Sequence, residues 1–183
     1  MQKSLTATDK KSLLAIARQV IIACVSEEKV PPLKAGTGVL HEKRGCFVTI
    51  KMDGHLRGCI GTFLAEHPLV QTVQEMAISA ATHDPRFYPM KKADLANFDV
   101  EISVLSPLRK IDSVDEIRVG IHGIYLEKNY SRGVLLPQVA TEYGWDRDTF
   151  LAQTCLKAGL RPNDWEDGAD IYIFSAEVFG EKG

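Results

Sequence analysis

The dipeptide Asp53-Gly54 stands between two runs of strand-forming residues, 45–52 and 55–63. Asp-Gly accepts positive φ at both loop positions of a two-residue turn, which makes it the strongest short-range hairpin signal a sequence offers. A chain built on such a hairpin contains antiparallel sheet and is not a helical bundle. With Asp53 and Gly54 as the loop, Met52 pairs with His55, Ile50 with Arg57 and Val48 with Cys59. Alternate residues point the same way, so Arg57 and Cys59 then share one sheet face. Gly58 and Gly61 are where that strand would end or bulge.

Helical periodicity brackets the hairpin. Thr8 or Asp9 caps a first helix with the apolar stripe Leu13, Ile16, Ala17, Val20, Ile21 and Cys24, stopped by Val30-Pro31-Pro32. Pro68 opens a second helix, whose buried side carries Leu69, Val73, Met76, Ala77 and Ala80 and which ends before His83-Asp84-Pro85-Arg86-Phe87-Tyr88-Pro89. Residues 98–105 alternate as a strand, and Ser113 and Glu116 have capping-box spacing. Residues 118–126 and 133–137 read as a strand pair. Asp146 caps a last helix through Phe150, Leu151, Thr154, Cys155 and Ala158 with Gly159 at its C′ position, and 171–179 read as one final strand. Hairpins with interspersed helices give an α+β fold, mostly antiparallel sheet flanked by helices.

With 183 residues, the chain fits one domain spanning 5–180, with room for two lobes. A net charge of −2 speaks against a non-specific nucleic-acid binder, and no basic run exceeds a pair of residues. No apolar run reaches the ~18 residues a membrane helix needs, and the polar start lacks a secretory signal, so the expected location is cytoplasmic with reduced thiols. The four cysteines, Cys24, Cys46, Cys59 and Cys155, include no C-x-x-C. The set His41, Cys46, His55 and Cys59 matches no usual zinc-ligand spacing, and nothing in the sequence calls for a metal or cofactor. Gly58-Cys59-Ile60-Gly61 is formally a G-x-x-G, but it follows a strand and holds Cys-Ile where RNA-binding loops carry polar or basic residues.

Leu56-Arg57-Gly58-Cys59-Ile60-Gly61-Thr62-Phe63 resembles the signature of the AMMECR domain family. Further blocks match in the family's order: 84–87 (Asp-Pro-Arg-Phe), 101–107, 135–140 and Gly144-Trp145-Asp146. Together they cover roughly Leu13 to Val178. Two positions depart from the pattern, Tyr88 after Phe87 and Ile121 before His122. The resemblance implies an α+β domain with a larger and a smaller lobe and a cleft where these blocks meet. It also implies a gene neighbourhood shared with a Memo-type protein and a radical-SAM protein, which are the expected partners. It supplies no established reaction.

The chemistry within the blocks centres on Cys59. Glycines beside it let backbone approach a ligand, flanking amides suit an oxyanion, and a nearby Arg57 favours thiolate, the nucleophilic form. His83, ahead of His55, is the candidate base, with Asp84 orienting it. Arg57 and Arg86 present planar forks suited to a carboxylate or phosphate, with Gly58, Gly61, Glu101 and Gln138 completing the candidate binding set. Against this stands a structural reading: a packed Cys59, and Arg57 and Arg86 in ion pairs with Glu101 or Asp84. Trp165 reads as a loop anchor rather than a ligand platform. The expected function is therefore a cytosolic enzyme or enzyme component using Cys59 on a small anionic or modified substrate. The alternative is a non-catalytic adaptor that presents the same surface to a partner.

Overall fold

The computed structural model describes residues 3–34 and 38–182. In chain order it contains α1 (Ala7–Val25), β1 (Cys46–Met52), β2 (His55–Thr62), α2 (Leu69–Thr82), β3 (Asp99–Leu105) and β4 (Arg109–Lys110). Then follow β5 (Gly123–Lys128), β6 (Ser131–Leu135), α3 (Pro137–Tyr143), α4 (Arg147–Lys157), β7 (Asp170–Phe174) and β8 (Ala176–Gly180), with short 3-10 turns between. The chain forms two compact units, one running to Leu105 and resuming at Glu177, the other Ser106–Ala176. Each holds a four-stranded sheet, in the order β2-β1-β3-β8 and β4-β7-β5-β6. Strand β1 runs antiparallel to β2 and β3, and β7 antiparallel to β4 and β5, as does β5 to β6. This is the α+β class that the hairpin and helix patterns imply.

In the first unit α1 and α2 cover one face of the sheet. Leu13, Ala17, Val20 and Ile21 of α1 and Val73, Ala77 and Ala80 of α2 pack on Cys46, Val48, Ile50, Val100 and Ile102, all nearly or fully buried. The alternate residues Phe47, Thr49 and Lys51 point to the opposite face. Helix α1 is capped by Thr6 rather than Thr8 or Asp9; Asp9 returns the bond to the Thr6 amide, a complete capping box. The second unit packs α4, through Phe150, Leu151 and Cys155, on Ile124, Leu126 and Ile173. Asp146 caps α4 as its position suggests, its side chain accepting from the Thr149 amide, and Gly159 takes φ 78° just after the helix.

Three further expectations fail locally. Residues 136–143 do not simply end a strand: Pro137 sits at the start of α3, and Gly144, in the left-handed region, ends it. Residues 118–122 form a turn, with β5 starting only at Gly123. The stretch 171–179 is two strands in different sheets, because the chain leaves β7 at Phe174 and enters β8 at Ala176.

Candidate functional site

Strand β2 lies at the edge of its sheet and carries a bulge. Met52 pairs with His55 and Lys51 with Leu56, but Ile50 then pairs with Gly58, leaving Arg57 as the extra residue. The simple hairpin register is thus off by one beyond Arg57: Cys59 lies opposite Thr49, not Val48. The shift keeps Cys59 off the core face. Val48 is buried, whereas Cys59 is partly exposed in a row that continues through Thr49 to Glu101 on β3. The Thr49 hydroxyl contacts the Cys59 sulfur at 3.1 Å. Sequence reasoning missed Thr49, since only the bulge brings it opposite the cysteine.

The outer side of Cys59 is closed by a carboxylate–guanidinium pair. The Cys59 N–H donates to Asp84 Oδ2 at 2.9 Å, and Arg86 Nη2 donates to the Cys59 carbonyl at 3.4 Å. Arg86 grips Asp84 with two side-chain bonds, Nε to Oδ1 at 3.1 Å and Nη2 to Oδ2 at 2.8 Å, and its own amide donates to Oδ1 at 3.1 Å. Asp84 and Arg86 thus take the place of a neighbouring strand, satisfying both backbone groups that an edge residue would leave open. With these groups turned outward, Thr49 and Cys59 form the closer, non-hydrogen-bonded kind of cross-strand pair, which explains the sulfur–hydroxyl contact. The Arg86 hydrogen bonds hold the Asp84 carboxyl far below the usual carboxylate range; burial opposes them and the two backbone amides assist. The same pair raises the Arg86 guanidinium above its ordinary value.

This geometry revises several assigned roles. Asp84 orients the backbone of Cys59, not His83. The His83 ring meets Thr82 Oγ through Nδ1 at 2.7 Å, and since that hydroxyl gives its hydrogen to the Ile78 carbonyl, Nδ1 is the donor and Nε2 the basic nitrogen. The Cys59 amide is already committed to Asp84 and is not a free oxyanion donor. The glycines answer to packing. A Cβ on Gly58 would stand 2.1 Å from the Ala80 carbonyl of α2, and one on Gly61 would fall 2.3 Å from the Phe47 ring lying over it. Both spaces are filled by the protein itself rather than open to a ligand.

Arg57 and Arg86 share the Phe87 ring, their guanidinium carbons 5.9 and 5.5 Å from its centroid. Arg57 also makes a long ion pair, 3.4 Å from Nη2 to Asp94 Oδ2, and Arg86 remains half exposed beyond its pair. Glu101 takes Lys51 at 3.0 Å rather than either arginine. Gln138 belongs to the second unit, on α3. Cys59, Arg57, Arg86, Asp84 and Phe87 are therefore drawn together directly. Cys46, on the core face, is pushed up to about 12 by burial and cannot share a ligand with Cys59 across the sheet. Among the described residues no three His, Cys, Asp or Glu side chains converge in a metal-ligand group, and no helix is long and apolar enough to cross a membrane. Trp165 packs against the core of the second unit as an anchor.

Known proteins share this chain over nearly its whole length. The protein Mbar_A1807 of Methanosarcina barkeri is 42% identical, over 97% of this chain and 93% of its own. MK0488 of Methanopyrus kandleri is likewise 42% identical, over 100% and 93%. The crystal structure of the uncharacterized protein PH0010 from Pyrococcus horikoshii superposes with a TM-score of 0.82 at 39% identity, covering 94% of this chain and 91% of that one. The profile of the AMMECR1 family matches residues 14–179, so the chain belongs to the AMMECR1 family.

Proposed function

We propose that this protein acts on a small anionic or modified substrate at the Cys59 edge, with Cys59 as nucleophile or covalent carrier. The observation that carries this reading is the treatment of one residue. The backbone of Cys59 is fixed on its outer side by an Asp84 that is itself buried, while its thiol stays partly exposed on the open face. A buried charge is costly, and spending one on the amide of an edge cysteine suits a position whose geometry matters. Arg57 and the exposed side of Arg86 supply donors for the anion. In a group transfer the Cys59 proton passes to His83 Nε2, sulfur bonds to the transferred group, and the proton leaves with the departing atom.

The test is alkylation of the native protein, read at each cysteine by mass spectrometry. Cys59 is expected to react fastest at pH 7, with Cys46 and Cys155, both fully buried, as inert internal controls. A Cys59 that reacts no faster than the same thiol in the unfolded chain overturns the nucleophile assignment.

One feature favours a second reading, an adaptor for a Memo-type or radical-SAM protein. Tyr88, next to Phe87, exposes 87% of its surface beside the arginines. A partner docked there predicts co-purification that survives Cys59→Ala and is lost with Tyr88→Ala.

A further inference from the structure

Residues 118–122 belong to the second unit. The segment folds back on itself: the amides of Ile121 and His122 donate to the Arg118 carbonyl at 3.1 and 2.9 Å. The return bond comes from a side chain. The Arg118 N–H donates to His122 Nδ1 at 3.1 Å, so the imidazole closes the turn from which it hangs. Gly120 supplies the positive φ of 87° at the tip, with Thr141 of α3 beside it, and Gly123 is pinned under the Phe174 ring where β5 begins. The turn is thus fixed at its exit, and its other end is held by those two main-chain bonds together with one side-chain bond to a nitrogen lone pair.

We propose that the Arg118–His122 bond is an acid-sensitive latch on this turn, closed while His122 is neutral and opened when Nδ1 takes a proton, which loosens the turn without undoing its main-chain bonds. The reason is stereochemical. A protonated Nδ1 is a donor and faces another donor, the Arg118 amide, so the closing bond is replaced by a repulsive contact. The surrounding charges come from three places: Arg109 on β4, Arg118 in the turn, and Glu116 in the preceding 3-10 turn. Glu116 opposes the two arginines twice, through its backbone carbonyl beside the ring and through a carboxylate that also accepts from Arg109 at 2.7 Å and from the Asp112 amide at 3.4 Å. Partial burial and the two guanidinium groups outweigh it and hold His122 below its ordinary value. The latch therefore stays shut at neutral pH and opens in mild acid. What it loosens is a tip carrying Val119 and Ile121, both already turned to solvent.

Nuclear magnetic resonance of the uniformly 15N-labelled chain tests this without any substitution. Of the five histidines, His122 is expected to carry its hydrogen on Nε2 at neutral pH and to titrate below the ordinary histidine value. The Arg118 amide resonance should move with the His122 midpoint, and Arg109→Gln should raise that midpoint. His122→Ala should speed exchange of the Arg118 amide roughly five- to tenfold at pH 7 and abolish its titration. An Nδ1–H tautomer, or an Arg118 amide that stays flat while His122 titrates, overturns the proposal.

Discussion

The two sheets end at their edges in different ways. On β2 of the first unit, the outward amide and carbonyl of Cys59 are met by the side chains of Asp84 and Arg86. On β6 of the second unit, helix α4 lies so close that a Cβ on Gly133 would stand 2.5 Å from the Thr154 carbonyl and 2.8 Å from the Ala158 side chain. One edge strand has its outward backbone groups met by charge; the other is packed on its face by a helix. The buried polar side chains follow the same division: among the described residues Arg44, Thr72, Asp84 and Ser103 lie in the first unit, against Thr154 in the second. A buried ion is a costly way to support an edge strand, since its charge must be desolvated. That costly solution stands beside the one partly exposed cysteine of the hairpin, which is why the candidate site belongs there.

The largest expected effect comes from removing the charge. Asp84→Ala leaves the Cys59 amide without its acceptor and Arg86 without its carboxylate, a loss of about 3 kcal/mol in urea unfolding. Its pH dependence is distinctive. The folded-state value of Asp84 lies below the unfolded one, so the pair's contribution is complete above the ordinary carboxylate range. It is lost only as the pH falls through the lowered value. His122 is also depressed when folded, but its stabilisation begins to fade below about pH 6.5, the ordinary histidine value. On acidification the second unit should therefore soften first. Resolved amide exchange checks the order; protection lost first around Cys59 would break the contrast between the two edges.

A smaller effect is expected where both units rely on a missing side chain. Gly58→Ala drives a methyl into the Ala80 carbonyl, and Gly133→Ala into the Thr154 carbonyl. Each should cost about 1–3 kcal/mol, because a helix backbone and not a flexible side chain has to give way. The two differ in what else they disturb. Gly58→Ala displaces the strand that carries Cys59 and should change its alkylation rate, whereas Gly133→Ala should leave that rate alone. Equal effects on Cys59 from both substitutions would mean that the edge at Cys59 is not set locally.

Much of this architecture was legible in the chain, for physical reasons that also mark where legibility stops. Asp53-Gly54 and the stripes of α1, α2 and α4 are local signals, and local signals placed the hairpin and the helices. The bulge at Arg57 is not local. It sits where Gly58 meets α2 and the Phe47 ring lies over Gly61, contacts that no pattern within β2 encodes. Because side chains alternate, that single extra residue moved Cys59 from opposite Val48 to opposite Thr49. The division of 171–179 between two sheets escaped for a related reason: both halves are apolar, and only the pairing partners separate them. Within the site, the sequence grouped Asp84 with Arg86 but gave Asp84 the wrong neighbour. An Asp next to a His invites a catalytic orientation, yet one residue of separation turned it toward the strand edge.

The finest distinction rests on two cysteines. Cys155 is fully buried in the second unit, where burial pushes its thiol up. Cys59 is half covered, and its main-chain bonds to Asp84 and Arg86 survive any change of side chain. Cys155→Ala should therefore cost about 1 kcal/mol through the cavity it leaves, while Cys59→Ala should cost less than about 0.5 kcal/mol. Melting curves of the two variants separate these values. A Cys59→Ala protein as destabilised as Cys155→Ala would make the thiol one more packing group and the Asp84–Arg86 pair mere edge protection. A protein that loses nothing in stability keeps its strand, its bulge and its arginines while lacking only sulfur. Whatever binding or turnover such a variant then fails to perform belongs to the sulfur alone.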